Sequence, residues 1–150
     1  MKNIIILSFL VTFSLFSCQN ELSKEQLRRI SLENEVMALH DSIMAKGGKM
    51  QQLTTELNKL KEKEKLSEKN AETTIKKIDS QVFALTEADD KMMDWMKNYQ
   101  TPAKRDTNNI AKEMKYLLNE KVKILLVGAK TTEAIKNASI LRDELKASQK

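Results

Sequence analysis

Apolar residues recur along this chain at helical spacing in four successive stretches. In the first, about residues 22 to 46, Leu32, Val36, Leu39 and Ile43 follow one another at steps of four and three. Gly47-Gly48 predicts its end, because glycine sits easily just beyond a helix C-terminus. The second runs from about Met50 to Lys65. Met50, Leu53, Leu57 and Leu60 form its stripe, and the other positions are mostly Gln, Thr, Lys and Glu, as on a wet face. The apolar signal then weakens, and a break is expected near residues 67 to 70. The third stretch is the most regular. Ala71, Ile75, Ile78, Val82, Leu85, Asp89, Met92, Met96 and Tyr99 alternate steps of four and three, the signature of a coiled-coil seam with one charged member, Asp89. Pro102 ends it by disfavouring helical geometry in the residue before. The fourth runs from about Asp106 or Thr107 to Lys146. Ile110, Met114, Leu118, Val122, Leu125 and Ala129 form one row, which then shifts to Ile135, Ala138, Leu141 and Leu145. The segment "KVKILLVGAK" also fits a strand, but the sequence offers it no partner strand, so it reads as helix bent near Gly128.

These elements predict an all-α fold: an up-down four-helix bundle or a set of antiparallel coiled-coil helices. The chain has only three glycines and one proline, which suits long helices. Short connections make successive helices antiparallel. On that topology the end of the first helix, the start of the second, the end of the third and the start of the fourth meet. That end would collect Met37, Met44, Met50, Met92, Met93, Met96 and Met114, together with His40 and Trp95. It would lie farthest from the beginning of the bundle.

The start of the chain has a different character. "MKNIIILSFLVTFSLFSC" has a basic residue, Lys2, then an apolar run from Ile4 to Phe16 too short to span a bilayer, the form of a secretory signal. Its last residues, Leu15, Phe16, Ser17 and Cys18, resemble the lipobox of bacterial lipoproteins. The resemblance implies cleavage before Cys18, a diacylglyceryl thioether on its sulfur and acylation (palmitate) of the new amino terminus. Residues 1–17 then form a signal peptide, 18–22 a tether and 23–150 the helical domain. Cys18 is the only cysteine, so no internal disulfide forms. Residue 19 is glutamine and not the aspartate that retains many lipoproteins at the inner membrane. The expected location is the outer membrane, lipid-anchored, on its periplasmic face or at the cell surface.

Net charge is +5, from 26 basic and 21 acidic residues interleaved along the chain. That reads as solvated helix faces and argues against nucleic acid as a partner. Enzyme chemistry finds no support either. With one histidine and no cysteine beyond Cys18, a His/Cys zinc site cannot be assembled. "VGAKTT" lacks the glycine spacing of a phosphate loop. Asp89 and Asp90 are adjacent on a helix and point apart. "DSI" (Asp41, Ser42, Ile43) resembles a short bacterial O-glycosylation motif, but its serine lies inside a helix.

The remaining candidate is "EVMALHDSIM". His40 lies near the middle of the apolar arc of its helix, between Met37 and Met44. Packing explains it first: methionine fills gaps and favours sulfur–aromatic contacts, here with Trp95. His40 would then be a core imidazole hydrogen-bonded to Asp89 or a backbone group. Two alternatives compete. Thioethers and imidazole suit copper or silver, with Met37, His40, Met44, Met93 and Met96 as ligands. A b-type haem held by His40 and a methionine is the other, since helical bundles host such cofactors.

The lipobox, "EVMALHDSIM" and "DDKMMDWMKNY" together resemble a set of small uncharacterised helical lipoproteins of Bacteroidota, some labelled "viral A-type inclusion protein". The resemblance covers most of the chain beyond Cys18. It singles out Glu35, Met37, His40, Asp41 and Met44 on the first helix and Met93, Asp94, Trp95 and Met96 on the third. This chain lacks the proline that such proteins carry soon after the position of Met44, and has Lys97 where some have histidine. The resemblance supplies no activity. The expected role is non-catalytic: a structural or interaction protein, anchored through Cys18, with another envelope protein or a second copy as partner.

Overall fold

A computed structural model of the chain describes residues 22–65 and 71–148. The signal peptide, Cys18 and the expected break at 67–70 lie outside the described residues. Four α-helices account for nearly all the rest: α1 (Lys24–Met44), α2 (Gly47–Glu64), α3 (Ala71–Asn98) and α4 (Ile110–Ser148). A short 3-10 turn, Pro102–Lys104, lies between α3 and α4. No strand occurs among the described residues, and "KVKILLVGAK" is helical. The protein is an all-α helical bundle.

Helix α1 starts with a reciprocal cap. Gln26 N–H donates to Ser23 Oγ, and Ser23 N–H donates to Gln26 Oε1. This satisfies two backbone donors that the first helical turn would leave bare. The end of α1 departs from expectation. Ala45 (φ −60°, ψ −19°) and Lys46 (φ −86°, ψ −10°) both keep right-handed helical geometry. Ala45 N–H still donates to Asp41 O, and Met50 N–H donates to Lys46 O. A chain reversal needs residues that leave the helical region, and none does so here. Gly47 and Gly48 begin α2 and do not turn the chain.

Side-chain pairs give the consequence. Glu35 of α1 meets Lys121, Lys46 at the junction meets Thr132, and Glu56 of α2 meets Lys146. Helices α1 and α2 therefore follow one another along α4 in the same direction. Helix α3 runs back between the ends, with Asp79 at Lys61 of α2 and Tyr99 at Glu33 of α1. The expected reversal at Gly47-Gly48 is corrected: α1 and α2 form one interrupted rod, packed with α3 and α4 in three columns.

The core has two parts. Leu53, Leu57 and Leu60 of α2 pack with Ile78 and Leu85 of α3 and with Ala134 and Ala138 of α4. Val36 and Ile43 of α1 pack with Met92 and Trp95 of α3 and with Ile124 and Val127 of α4. Gly128 serves this second part: a Cβ there would stand 3.2 Å from Ile43 Cδ1, so its absence seats the isoleucine.

The stripes of α1 and α2 lie as expected, but two rows are rephased. In α3, Ala88 and Trp95 are buried, whereas Asp89 and Met96 are exposed. Both rows fit a heptad; burying Ala88 avoids desolvating the Asp89 carboxylate. In the first part of α4, Leu117, Ile124 and Val127 face inward, together with Glu113 and Glu120. The expected row, Leu118, Val122, Leu125 and Ala129, faces out.

Candidate functional site

The chain between α3 and α4 is held down by one buried arginine. Pro102 opens the 3-10 turn, where its fixed φ suits a first helical position. Lys104 N–H donates to Thr101 O and Arg105 N–H to Pro102 O. The backbone then leaves in extended form at Arg105 (φ −117°, ψ 156°), and the side chain passes back under α1 and α4. Only 3% of that side chain is exposed. Its Nη2 donates to Glu33 Oε1 and lies 3.5 Å from Glu113 Oε2. Arg29 Nη1 shares Glu33, donating to Oε2 at 2.8 Å.

Aromatic rings close over this cluster. The Arg105 guanidinium carbon is 4.8 Å from the Tyr116 ring centroid and 5.7 Å from that of Tyr99. Tyr99 continues into Trp95 at 4.9 Å, and Trp95 into His40 at 5.7 Å. Tyr116 Oη accepts from Gln100 N–H at 2.8 Å. Burial pushes the Tyr99 hydroxyl up to about 12, with the Glu33 carboxylate adding to the effect and Arg105 opposing it. Burial also raises Tyr116 above its ordinary value. Arg105 Nε and Nη1, Glu113 Oε2 and Trp95 Nε1 are buried without a hydrogen-bond partner among the described residues. The cluster therefore holds the Arg105 cation between two carboxylates, one of them shared with Arg29, in an apolar, partly unsatisfied setting. It fixes the α3–α4 connection against α1.

The residues predicted from sequence fall differently. His40 is half-buried, with its ring against Trp95, and its Nδ1 pairs with Asp41 Oδ1 at 2.8 Å. Asp89 is exposed and is not its partner. Met37 is half-buried on the same flank of α1, and Met44, Met93 and Met96 are largely exposed. Met50 belongs to the other part of the core. The end of α3 and the start of α4 lie beside the beginning of α1, since Met114 lines a groove with Glu25 and Arg28. The methionines of α3 and α4 therefore gather toward the start of the bundle and not at its far end. No group of three or more His, Cys, Asp or Glu among the described residues is placed to hold a metal ion.

Sequence reading missed Arg105, Glu33 and Glu113. One signal was available: Glu113 and Glu120 stand in register with Leu117, Ile124 and Val127, a row that their charge disguised as a wet face.

A second feature lies on the outside of α4. Leu118, Val122, Leu125 and Leu126 are 50%, 58%, 47% and 63% exposed. At about 100° per residue they fall opposite the buried row of the same helix. The face runs into a groove between α1 and α4 lined by Leu39, Ile43, Leu125 and Ala129. Contiguous exposed apolar surface of this kind marks an interaction site more often than scattered single residues do.

No family model, curated protein or solved structure matches the chain.

Proposed function

We propose that this protein is a lipid-anchored component of a bacterial outer membrane whose helical bundle serves as a non-catalytic interaction module. The single observation that carries the interaction role is the apolar face of α4, a second hydrophobic row on a helix whose first row already fills the core. The anchor reading draws on the signal-like start, the lipobox ending at Cys18 and the resemblance to helical lipoproteins of Bacteroidota. No described helix is long and apolar enough to cross a membrane.

The test combines fractionation with cross-linking in the native envelope. Cys18→Ala is expected to abolish lipidation and release the protein from membranes. A mutant that stays in the membrane pellet after a high-salt wash refutes the anchor. A photo-cross-linking residue at Leu125 is expected to give discrete adducts, and the same residue at exposed Phe83 none. Equal labelling at both sites refutes the interaction face.

One observation favours a second reading, soft-metal binding. Trp95 brings α3 against His40, and Met37 and Met44 lie within four residues of His40 along α1, as Met93 and Met96 lie within two of Trp95 along α3. Thioethers beside an imidazole suit Cu(I) or silver. Stoichiometric Cu(I) binding that His40→Leu abolishes would establish it; no binding at micromolar metal would end it. The haem alternative finds no support in this geometry, because the Trp95 indole lies against the imidazole.

A further inference from the structure

The outer row of α4 has a spacing that permits it to pair with itself. Leu118, Val122, Leu125 and Ala129 are separated by steps of four, three and four. That spacing reads the same in both directions. A heptad row that is its own reverse can pack on a second copy of itself by a two-fold rotation, which is the commonest form of self-association. We infer that two copies of this chain associate antiparallel through α4, layering Leu118 on Ala129 of the second copy and Val122 on Leu125 of the second copy. The inference rests on the reading of α4 as an interaction face and names what covers it.

Charge supports both the partner and the direction. Beyond the apolar layers the row continues through Lys115 at one end and Thr132-Glu133 at the other, all exposed. The antiparallel arrangement brings Lys115 to Glu133 of the second copy at each end. A parallel arrangement would bring like charges together. Three lysines beside the row are engaged within the chain, Lys121 with Glu35 at 2.6 Å, Lys123 with Glu120 at 2.7 Å and Lys130 with Glu87 at 3.5 Å, whereas Lys115 and Lys136 stand exposed at its two ends. An anionic lipid surface would call for free lysines along such a face. Along the apolar layers themselves the lysines are paired within the chain, and the exposed Lys115 meets an acidic partner in Glu133 of the second copy, which favours a second protein copy over a membrane.

The experiment uses the full chain in mild detergent with Cys18→Ser, so that no thiol remains other than those introduced. Leu118→Cys with Ala129→Cys is expected to give a covalent dimer with a short bis-maleimide. Leu118→Cys alone is expected to give none, because the two thiols would lie about 16 Å apart along the antiparallel pair. Leu125→Glu is expected to weaken dimerisation by about tenfold or more in sedimentation equilibrium, with an unchanged circular dichroism spectrum. A monomer at tens of micromolar overturns the inference, and so does efficient linking by Leu118→Cys alone, which would mean parallel pairing. A monomer that binds vesicles containing anionic lipid through Leu125 also overturns it and makes the face a membrane contact. A monomer that cross-links at Leu125 to a different envelope protein overturns the self-association alone and leaves the interaction face standing. None of these readings depends on lipidation of Cys18.

Discussion

Replacing Arg105 with methionine tests whether the cluster holds the end of the bundle together. The side chain is 3% exposed, as is that of Glu113, and that of Glu33 is 15% exposed. Methionine keeps much of the volume under the Tyr99 and Tyr116 rings but removes the cation. Glu33 retains Arg29 at 2.8 Å, whereas Glu113 loses the only cation paired with it among the described residues. Removing one partner of a buried ion pair costs about 3–5 kcal/mol, because the other charge stays desolvated. One of the two carboxylates here keeps a partner, so the lower figure applies, about 3 kcal/mol. For a domain of this size that is a fall in Tm of roughly 10 °C. Adding Glu113→Met removes the stranded charge, and the double mutant is expected to regain about 2 kcal/mol of the loss. Urea denaturation followed by circular dichroism and Trp95 fluorescence measures both, read as a shift in midpoint at constant slope. The reasoning fails if Arg105→Met stays within about 1 kcal/mol of wild type, or if the double mutant is less stable than the single.

Three further outcomes follow from the fold. Gly47→Ala and Gly48→Ala should each stabilise by about 0.5–1 kcal/mol, because a Cβ at either position meets nothing within 4 Å and both lie in α2; a lower Tm for either would restore the chain reversal. Leu57→Ala and Leu85→Ala should each cost about 2–5 kcal/mol, whereas Phe83→Ala, at a position 68% exposed, should change stability by under about 0.5 kcal/mol; a large effect at Phe83 would mean that α3 is packed in a different phase. The tyrosinate absorbance of Tyr99 and Tyr116, the only two tyrosines, should develop at higher pH in the native protein than in urea. Both native hydroxyls are raised, so the unfolded chain loses these protons first as pH climbs past 10. The stability they contribute is present below about pH 10 and is lost as pH rises toward about 12; coincident native and unfolded titrations would contradict the buried ring cluster.

The sequence was most legible where one apolar row stands alone on a polar background. Met50, Leu53, Leu57 and Leu60 face inward as their spacing indicates, and so do Leu32, Val36 and Ile43. It misled where two rows compete. Helix α4 carries Leu118, Val122, Leu125 and Ala129 on one side and Leu117, Ile124 and Val127 on the other, and periodicity measures a row without saying which neighbour it meets. The purely apolar row looked like the core, yet the row interrupted by Glu113 and Glu120 is inside, because Arg105 arrives from the connection to meet Glu113. No local pattern announces that arrival. The glycine pair misled for a related reason: glycine permits a reversal without requiring one, and the helical dihedrals of Ala45 and Lys46 decide the direction. The Asp89 seam follows the same logic, since one step along α3 exchanges a carboxylate for a methyl group.

The interruption between α1 and α2 also has a mechanical consequence. A rod broken after Met44 would ordinarily bend there, but α4 passes the break without one for its full 39 residues, about 58 Å. Ile43 rests on Gly128 just before the joint, and Lys46 bonds Thr132 at it, so the joint is splinted from the side. Because α1 and α2 both run parallel to α4, a pull between the start of α1 and the end of α4 loads the flanking contacts in shear, all together and not one after another. The bundle is thereby built as a stiff strut that keeps the end of α4 at a set distance from the start of α1.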